Sequence, residues 1–416
     1  MRFATSPRLV NYYQRGTPVI HGDRRGLRGH AHDHTTRWTL MGSRRRCAAG
    51  TAAVPVETPV ADNSRALVTS LPRLRYIVAA GPLIALAVFL TGCGAGAAPV
   101  VATPARAVPV PLVRLGAGVR GVQVLVEPDD GSRALTGAIR NAGRSIWLTM
   151  YMLTNRTIIH DLEYAHAAGV DVRVILEPHP YGASDNTNQS AYDALMAADI
   201  PVHWSSPRYR LTHEKSMVVD GDTAYIMTTN FTRASFQANR EFDVVDRHPA
   251  DVATVRALFV ADWTNQVYTP RDGNLPLSPS DARPLLQALI GSARRTLDVY
   301  GEELQDPGME RALAAAARQG VRVRLILPAP SGPDYDATGV RLVTGTGVRV
   351  RRLPRSYLYI HAKAIVVDGR RAFVGSQNLS AASLDDNREL GIIVSDEGVI
   401  GTLKDTFDSD WSYRGG

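Results

Sequence analysis

The sequence predicts an α/β fold in which two homologous α/β sandwich units pack about a pseudo-twofold axis and share one active site at their interface. The first observation behind this prediction is an internal repeat, because the residues after His213 match those after His361 without a gap over about fifty positions. The second is an alternation of strand and helix patterns within each repeat, which favours a mostly parallel or mixed sheet. The third is that each repeat carries one half of a matched polar set, so a complete site needs both units.

The register of the repeat defines the two units. An offset of 148 residues aligns His213 with His361, and the match extends as far as Trp263 and Trp411. Upstream of the histidines the offset is 151 residues, which aligns two earlier strand patterns. The predicted segments are a leader with a signal peptide at 1–92, a linker at 93–118, a first unit at 119–265 and a second unit at 266–416.

Within each unit the predicted order is helix, strand, helix, strand, and then a strand that carries His-x-Lys and opens a hairpin. Each first helix is short and amphipathic, and each second helix ends at a glycine. An Asp-Gly pair after each His-x-Lys strand indicates a tight turn into a returning strand. The predicted helices are 134–143, 157–168, 284–293 and 309–319, and the strands that follow them are 145–153, 170–176, 296–304 and 321–327.

The basic charge of the chain lies in its first segment. Thirteen arginines and four acidic residues fall in residues 1–92, which leaves 34 basic and 36 acidic residues in the rest of the chain. The formal net charge of +7 therefore belongs to a leader whose composition predicts disorder. The two units give no global electrostatic argument for a polyanionic partner.

A signal segment is predicted at the end of the leader. Arg73 and Arg75 precede an apolar run from Tyr76 to Phe89, which is shorter than the roughly 20 residues of a spanning helix. The run ends in Leu-Thr-Gly-Cys, which resembles the lipobox of bacterial lipoproteins and implies cleavage before Cys93 and lipidation of its thiol. An uncleaved anchor or an ordinary signal peptide is the alternative. We expect an exported protein of the cell envelope, either lipid-anchored at the outer face of a membrane or secreted.

Two of the chain's three lysines, Lys215 and Lys363, lie two residues after a histidine. Residues i and i+2 of a strand point to the same face, so each histidine and its lysine are expected to project together at the start of a strand. Lysine offers a compact charge that can close on a single phosphate oxygen. One such pair alone is typical of a half-exposed strand, but two pairs in register within a repeat favour a functional site.

The paired pattern His-x-Lys-x4-Asp, with Asn and Glu 17 and 28 residues after each histidine, resembles the phospholipase D superfamily over about residues 120–416. The resemblance implies a phospholipase D fold in which His213 is the nucleophile and His361 is the general acid and base. It also implies that the glutamates hydrogen-bond a catalytic histidine and that amide and hydroxyl side chains contact phosphate. The implied catalytic set is His213, Lys215, Glu241, His361, Lys363 and Glu389, and the implied phosphate-binding set is Thr228, Asn230, Ser376 and Asn378.

The chemistry of a phosphodiester fits these residue types. Two ammonium groups and two carboxamides can stabilise the negative charge that develops on the phosphoryl oxygens during attack. One imidazole can form a phosphohistidine while the other protonates the departing alkoxide and then deprotonates the incoming water or alcohol. This scheme requires no cofactor and no metal ion, and because Cys47 lies in the leader we expect neither a disulfide nor a Cys-based metal site. From the residues alone, either histidine could be the nucleophile.

Two features of the motifs point to structural roles. Asp220 and Asp368 have the opposite strand parity to the His-Lys pairs, and we expect them to be turn residues that accept hydrogen bonds from backbone N–H groups. The second unit has Gly-Ser-Gln-Asn at 375–378 where the first has Met-Thr-Thr-Asn at 227–230. This departure weakens the expected phosphate contact of Thr228 more than that of the asparagine.

Phospholipid is the first substrate expected, because the predicted anchor would hold the enzyme at a bilayer. The expected reaction is hydrolysis of a headgroup ester or its transfer to an alcohol, and a cardiolipin-synthase-like phosphatidyltransferase is a close variant. A secreted nuclease is the rival, favoured by the run Arg349, Arg351, Arg352 and Arg355 but disfavoured by the lack of interleaved aromatic residues. A non-catalytic lipid-binding lipoprotein is the third alternative. The two intact His-Lys pairs argue against it. We expect a monomer whose units form an internal pseudo-dimer.

Overall fold

The computed structural model describes residues 114–184, 186–270 and 272–414. The leader, the signal segment, Cys93 and the linker up to residue 113 lie outside these residues, so the predictions made for them remain predictions. Across the described ranges, no helix combines the length and the apolar character that a membrane crossing requires.

The first unit is built on a mixed sheet covered by helices. Its elements are, in chain order, β1 (Gln123–Glu127), α1 (Arg133–Arg140), β2 (Ser145–Met150), α2 (Arg156–Ala167), β3 (Asp171–Leu176), α3 (Gln189–Ala197), β4 (Val202–Trp204), β5 (Lys215–Val219), β6 (Thr223–Met227), α4 (Arg233–Gln237), β7 (Asn239–Asp246) and α5 (Pro249–Trp263). The strand order is β1-β7-β6-β5-β2-β3-β4. Strands β2, β3 and β4 are parallel to one another, whereas the remaining neighbours along this order are antiparallel.

The second unit repeats this arrangement. Its elements are β8 (Leu277–Ser278), α6 (Ala282–Gly291), β9 (Thr296–Tyr300), β10 (Leu304–Gln305), α7 (Pro307–Arg318), β11 (Arg322–Pro328), α8 (Ala337–Thr344), β12 (Arg349–Leu353), β13 (Tyr359–Ile360), β14 (Ala364–Val367), β15 (Arg371–Gly375), β16 (Leu379–Ser380), α9 (Ala381–Asp385), β17 (Glu389–Val394) and α10 (Glu397–Ser412). The strand order of its sheet is β12-β11-β9-β14-β15-β17-β8, and β10 pairs separately with β16.

The two sheets have the same topology, which confirms the predicted α/β repeat fold. Read from β8, the order of the second sheet is β8-β17-β15-β14-β9-β11-β12, and each of these strands corresponds to the strand at the same place in the first sheet read from β1. The predicted helices begin and end within three residues of α1, α2, α6 and α7. The prediction was wrong in one detail, because β5 begins at Lys215 and β14 begins at Ala364. Both motif histidines therefore lie just before these strands and not within them.

Among the residues that the structure describes, buried apolar side chains form three clusters, two on the outer faces of the sheets and one between the units. Strand β6 shows how the faces are divided. Tyr225 and Met227 belong to the outer cluster of the first unit, whereas Ala224 and Ile226 belong to the central cluster. The central cluster also contains residues of α5, residues of α10 such as Phe407, and residues on the inner face of the second sheet. Burial of this central cluster holds the two sheets together, and it therefore fixes the positions of residues at the interface between the units.

The Asp-Gly pair after each motif lies in a tight turn and has positive φ at both residues. Asp220 and Gly221 have φ values of 54° and 71°, and Asp368 and Gly369 have φ values of 53° and 63°. Each aspartate carboxylate accepts backbone hydrogen bonds, but from the segment that leads into β2 or β9. The donors are the N–H groups of Gly143, Arg144 and Ser145 for the first turn and of Arg294, Arg295 and Thr296 for the second. The motif aspartates therefore tie the hairpin to a neighbouring strand, at the end of β5 or β14 remote from the lysine.

Candidate active site

Each motif histidine lies in a segment that pairs with a strand of the other unit. In the first unit, the backbone N–H of His213 donates to the carbonyl of Arg388 at 2.9 Å, just before β17. In the second unit, β13 runs parallel to the start of β7, and the N–H of His361 donates to the carbonyl of Arg240 at 3.3 Å. These exchanged contacts explain why β5 and β14 begin after the histidines, because the histidine segments are engaged with the opposite sheet.

The glutamates of the two units are exchanged in the same way. Nδ1 of His213 lies 2.8 Å from Oε2 of Glu389, and Nδ1 of His361 lies 2.8 Å from Oε2 of Glu241. Both glutamates are fully buried. A carboxylate at Nδ1 favours the tautomer that carries its proton there, which leaves Nε2 of each ring for chemistry. The structure thus has the expected histidine–glutamate bonds, and each of them crosses the interface between the units.

Further hydrogen bonds hold each glutamate in place. Oε2 of Glu241 accepts from Oγ1 of Thr228 at 2.7 Å, and its Oε1 accepts from Nδ2 of Asn239 at 3.2 Å. In the second unit, Oε1 of Glu389 accepts from Oγ of Ser383 at 2.6 Å. A carboxylate held by two partners keeps one position, and it therefore fixes the orientation of the imidazole that it contacts.

The hydroxyls of Thr228 and Ser376, which the sequence predicts to contact phosphate, have protein partners in the structure. Both side chains are fully buried. In addition to its bond with Glu241, Oγ1 of Thr228 accepts from the N–H of Phe242 at 2.9 Å. The hydroxyl of Ser376 accepts from the N–H of Leu390 at 3.1 Å. These hydroxyls are committed to strand backbone, and in the case of Thr228 also to the glutamate that positions His361.

The two motif lysines lie beside their histidines but have different neighbours. Lys215 and Lys363 are almost fully buried, and each ammonium donates to the carbonyl of its own motif histidine, at 2.5 and 2.6 Å. The Lys215 ammonium lies 4.7 Å from the centre of the Tyr151 ring, and the ring of His213 packs edge-on against the same tyrosine. The Lys363 ammonium instead donates to Oε2 of Glu302 at 2.7 Å.

Glu302 is a residue of the site that the sequence reasoning missed. Besides Lys363, its Oε2 atom lies 3.3 Å from Nδ2 of Asn378 and 3.5 Å from Nε2 of His361. Its Oε1 atom accepts from the hydroxyl of Tyr359 at 2.8 Å. The carboxylate is therefore surrounded by three groups of the predicted catalytic and phosphate-binding sets.

The internal alignment contains a signal for this residue. At the offset of 151, Glu302 aligns with Tyr151, and each lies just after the strand that pairs with the motif strand, β9 or β2. Both positions therefore face the His-Lys pair of their own unit. A carboxylate at a position whose counterpart is aromatic could have been recognised as an asymmetry of the site.

The two asparagines of the predicted phosphate-binding set are buried at the ends of equivalent strands. Asn230 and Asn378 are 5% and 7% exposed. The N–H of Asn378 donates to Oγ of Ser383 at 2.8 Å, and its side-chain amide points to Glu302. Among the described residues, Oδ1 of Asn230 has no hydrogen-bond partner. Asn378 thus lies within the site, and Asn230 occupies the equivalent position in the first unit.

An open cleft of about 340 Å³ lies beside His213 and receives side chains from both units. The first unit contributes Tyr151 and Arg210, and the second contributes Gln305 and Asn378. The lining therefore combines aromatic, basic and amide side chains from the two units. In the part of the chain that the structure describes, no three His, Cys, Asp or Glu side chains are grouped as a metal site.

Burial sets the protonation of the first motif. It lowers the pKa of His213 to about 4 and the pKa of Lys215 to about 7. Burial alone would raise the pKa of Glu389, but His213 and Lys215 hold it below its usual value. The pKa of Glu302 is likewise held low, because the histidine and lysine of the second motif outweigh its burial. A neutral His213 with an available Nε2 is the form that can attack phosphorus.

Two buried arginine–aspartate pairs join the units next to the site. Nε of Arg240 donates to Oδ2 of Asp410 at 2.9 Å, and Nη2 of Arg388 donates to Oδ1 of Asp262 at 3.0 Å. Both arginines come from the repeated Asn-Arg-Glu segment, and both aspartates come from the repeated Asp-Trp segment. The repeat therefore carries interface residues together with the catalytic ones.

The arginine run that favoured a nuclease is engaged with the protein itself. The guanidinium groups of Arg349 and Arg351 lie 5.5 and 5.6 Å from the centre of the Trp411 ring. Arg352 donates to a neighbouring aspartate at 2.8 Å, and Arg355 lies 3.8 Å from the centre of a tyrosine ring. These contacts reduce the case for an open basic stripe that would track a nucleic acid.

Two histidines with exchanged glutamates, two buried ammonium groups and a shared cleft define an enzyme of phosphoryl transfer. The chain belongs to the phospholipase D superfamily. The family model described as "Cardiolipin synthase, PLD-like domain" matches residues 135–263 and 286–411, one match in each unit.

Comparison with known proteins agrees with this assignment. A cardiolipin synthase of Listeria monocytogenes serotype 4a (strain HCC23) is 24% identical over 335 residues, which cover 70% of this chain and 68% of that protein. The mitochondrial cardiolipin hydrolase of Homo sapiens is 29% identical over 168 residues, which cover 39% of this chain and 64% of that protein. The crystal structure of phosphatidylserine synthase from Haemophilus influenzae Rd KW20 has a TM-score of 0.58 at 14% identity and covers 72% of this chain and 88% of that one. This last likeness concerns the fold alone.

Proposed function

We propose that the protein is a phosphatidyltransferase of the cardiolipin synthase type, which moves a phosphatidyl group from one phospholipid to a hydroxyl of another. The observation that supports this most directly is the exchanged pair of histidine–glutamate bonds, which leaves both Nε2 atoms for a two-step transfer. The family model and the cardiolipin synthases of similar sequence favour phospholipid as the substrate. They also favour transfer over hydrolysis, although hydrolysis is the first expectation from the sequence.

In the first step, Nε2 of His213 attacks the phosphorus of the donor lipid. The P–O bond to the headgroup alcohol breaks, and Nε2 of His361 gives its proton to the departing oxygen, so the products are a phosphohistidine and an alcohol. The low pKa of His213, about 4, keeps this ring neutral and nucleophilic near neutral pH. Glu241 at Nδ1 stabilises the ring of His361 while it carries the proton that it donates.

In the second step, a hydroxyl of the acceptor lipid gives its proton to Nε2 of His361, and its oxygen attacks the phosphorus. The P–N bond breaks, and His213 returns to its neutral form. This step is the first step in reverse with a different alcohol, so one arrangement of groups serves both. Lys215, Lys363 and the two asparagines stabilise the phosphoryl oxygens in each direction.

Hydrolysis is the second candidate, because water can take the place of the acceptor hydroxyl without any change in the protein. The sequence similarity to the human mitochondrial cardiolipin hydrolase favours it. We also propose that the chain is exported and anchored through a lipidated Cys93, because such an anchor would hold the cleft at a bilayer surface.

Vesicles of phosphatidylglycerol separate the two reactions. Transfer between two lipid molecules gives cardiolipin and glycerol, whereas hydrolysis gives phosphatidic acid and glycerol. We expect cardiolipin from the full chain and none from His213→Asn. A matched control is Lys404→Met, which removes an exposed lysine on α10 and should leave turnover unchanged. Phosphatidic acid as the main product would replace transfer by hydrolysis, and cleavage of plasmid DNA without a lipid product would overturn both.

A further inference from the structure

The carboxylate of Glu302 lies where the proposed function needs a phosphoryl oxygen. Its Oε2 atom is 2.7 Å from Nζ of Lys363 and 3.3 Å from Nδ2 of Asn378. It is also 3.5 Å from Nε2 of His361, the atom proposed to exchange a proton with the alcohol. A phosphate oxygen bound by the same lysine and the same amide would require the space and the donors that the carboxylate uses.

The first unit shows that the fold does not require a carboxylate at this position. Tyr151 is the counterpart of Glu302, and its ring contacts Lys215 and His213. The two halves of the site are therefore unequal. The ammonium of Lys215 meets an aromatic face, whereas the ammonium of Lys363 meets a full negative charge.

The second unit also contains a support for this carboxylate. The hydroxyl of Tyr359 donates to Oε1 of Glu302 at 2.8 Å, and the guanidinium of Arg355 lies 3.8 Å from the centre of the Tyr359 ring. At the offset of 148, the first unit has Leu211 and Pro207 at these two positions. The second unit therefore has both the glutamate and the side chains that support it, whereas the first unit has neither.

We propose that Glu302 is a specificity-determining residue that occupies the phosphate subsite of Lys363 and must leave it before a phosphoryl group can bind there. This inference rests on the proposed function, because it takes Lys363 and Asn378 as phosphate ligands. The side chain of Glu302 is 18% exposed, against 3% for Lys363, so the carboxylate can turn towards solvent while the lysine remains in place.

The displaced carboxylate selects among phosphate groups by their charge. It stays near the bound phosphorus and repels a dianion about twice as strongly as a monoanion, because the Coulomb energy is proportional to each charge. A phosphodiester carries one negative charge, whereas a phosphomonoester near neutral pH carries nearly two. Glu302 therefore disfavours monoesters, which include the phosphatidic acid that an escape to water would leave in the site.

Binding of inorganic phosphate, measured by titration calorimetry near neutral pH, tests this role without any turnover. Glu302→Gln keeps the size of the side chain and an acceptor for Tyr359 but removes the charge. We expect this variant to bind phosphate at least about tenfold more tightly than the unmodified protein, which corresponds to about 1.4 kcal/mol. Dimethyl phosphate, a monoanionic diester, should gain less than inorganic phosphate does.

Three further variants make the result decisive. Burial raises the pKa of Glu303, the adjacent residue, to about 7, so Glu303→Gln is compared above that pH, where it removes a charge. An equal gain there would show a general field effect and overturn the role of Glu302. Glu302→Asp keeps the charge but shortens the reach to Lys363, so it should also bind phosphate more tightly, and it replaces the glutamine variant if that fails to fold. Unchanged or weaker phosphate binding by both Glu302 variants would overturn the inference. Unchanged phosphate binding by Lys363→Met would instead count against the phosphate subsite and the proposed function.

Discussion

Glu389 of the second unit hydrogen-bonds His213 of the first unit at 2.8 Å, and Glu241 of the first unit makes the equivalent bond to His361 of the second. Each histidine–carboxylate pair therefore takes one residue from each unit. The backbone follows the same rule, because the His213 segment pairs with Arg388, just before β17, and the His361 segment pairs with β7. The chemistry of either histidine thus depends on the packing of both units, and an isolated unit would lack the orientation of its own imidazole.

The exchanged glutamates should affect different chemical steps. We expect Glu389→Gln and Glu241→Gln each to lower kcat about 10- to 100-fold with little change in KM, since each glutamate orients a catalytic ring without contacting substrate. With an activated ester such as bis(p-nitrophenyl) phosphate, whose leaving group needs no proton, phosphohistidine formation should be slow for Glu389→Gln and nearly normal for Glu241→Gln. Rapid-quench measurements of p-nitrophenol release check this difference.

Glu397→Gln is the control for these variants, because this exposed glutamate at the start of α10 lies outside the site. It should leave both steps unchanged. An equal loss for the two glutamate variants with the activated ester would contradict the separate roles of the histidines and would indicate a general loss of structure.

The covalent intermediate is expected on His213. In His361→Asn, an activated diester can still transfer its phosphoryl group, but the acceptor hydroxyl lacks its base, so the phosphohistidine should accumulate. Mass spectrometry of peptides prepared near neutral pH locates the added phosphoryl group. A modified His361 in the variant His213→Asn, at a comparable rate, would exchange the assignment of the two histidines.

The pH dependence of kcat/KM should show two limbs that belong to the first motif. His213 must be neutral to attack, so activity is expected to be lost as the pH falls through its pKa of about 4. Lys215 must be charged to stabilise the phosphoryl oxygens, so activity should also fall as the pH rises through its pKa of about 7. In Lys215→Arg the side chain stays charged, and the alkaline limb should move to higher pH. An alkaline limb that stays in place would show that another group controls it.

Much of this site could be predicted from the sequence because the information was local and repeated. The register of the repeat identified both His-Lys pairs, and the Asp-Gly pairs identified turns whose positive φ values favour these residues. The exchange of Glu241 and Glu389 could not be predicted, because it depends on how the two units pack. Burial of the hydroxyl of Thr228 was missed for a related reason, since a residue after a strand can face either the cleft or the strand beneath it.

Thr228 should behave as a positioning residue for Glu241 and His361. Thr228→Val keeps the shape of the side chain but removes the bond to Oε2 of Glu241, so we expect kcat to fall about tenfold while KM for phospholipid stays nearly constant. Ser376→Ala is the comparison, because the hydroxyl of Ser376 bonds only strand backbone among the described residues. It should affect thermal stability more than kcat. A raised KM for Thr228→Val with an unchanged kcat would contradict the positioning role and support the phosphate contact expected from the sequence.

The buried pair of Arg388 and Asp262 should be essential to the association of the two units. The side chains are 1% and 7% exposed, so Arg388→Met leaves a buried carboxylate without its partner, at a cost of about 3–5 kcal/mol of unfolding free energy. Urea denaturation followed by circular dichroism measures this loss. Burial already raises the pKa of Asp262 while Arg388 opposes the rise, so without the arginine the carboxyl takes up a proton more readily. The destabilisation should therefore shrink as the pH falls, because burying a protonated Asp262 costs less free energy than burying an ionised one.

Lys404→Met is the control, because it breaks an exposed pair with Asp408 and should cost less than about 1 kcal/mol of unfolding free energy at any pH. An equally small loss for Arg388→Met would mean that the apolar cluster alone joins the units.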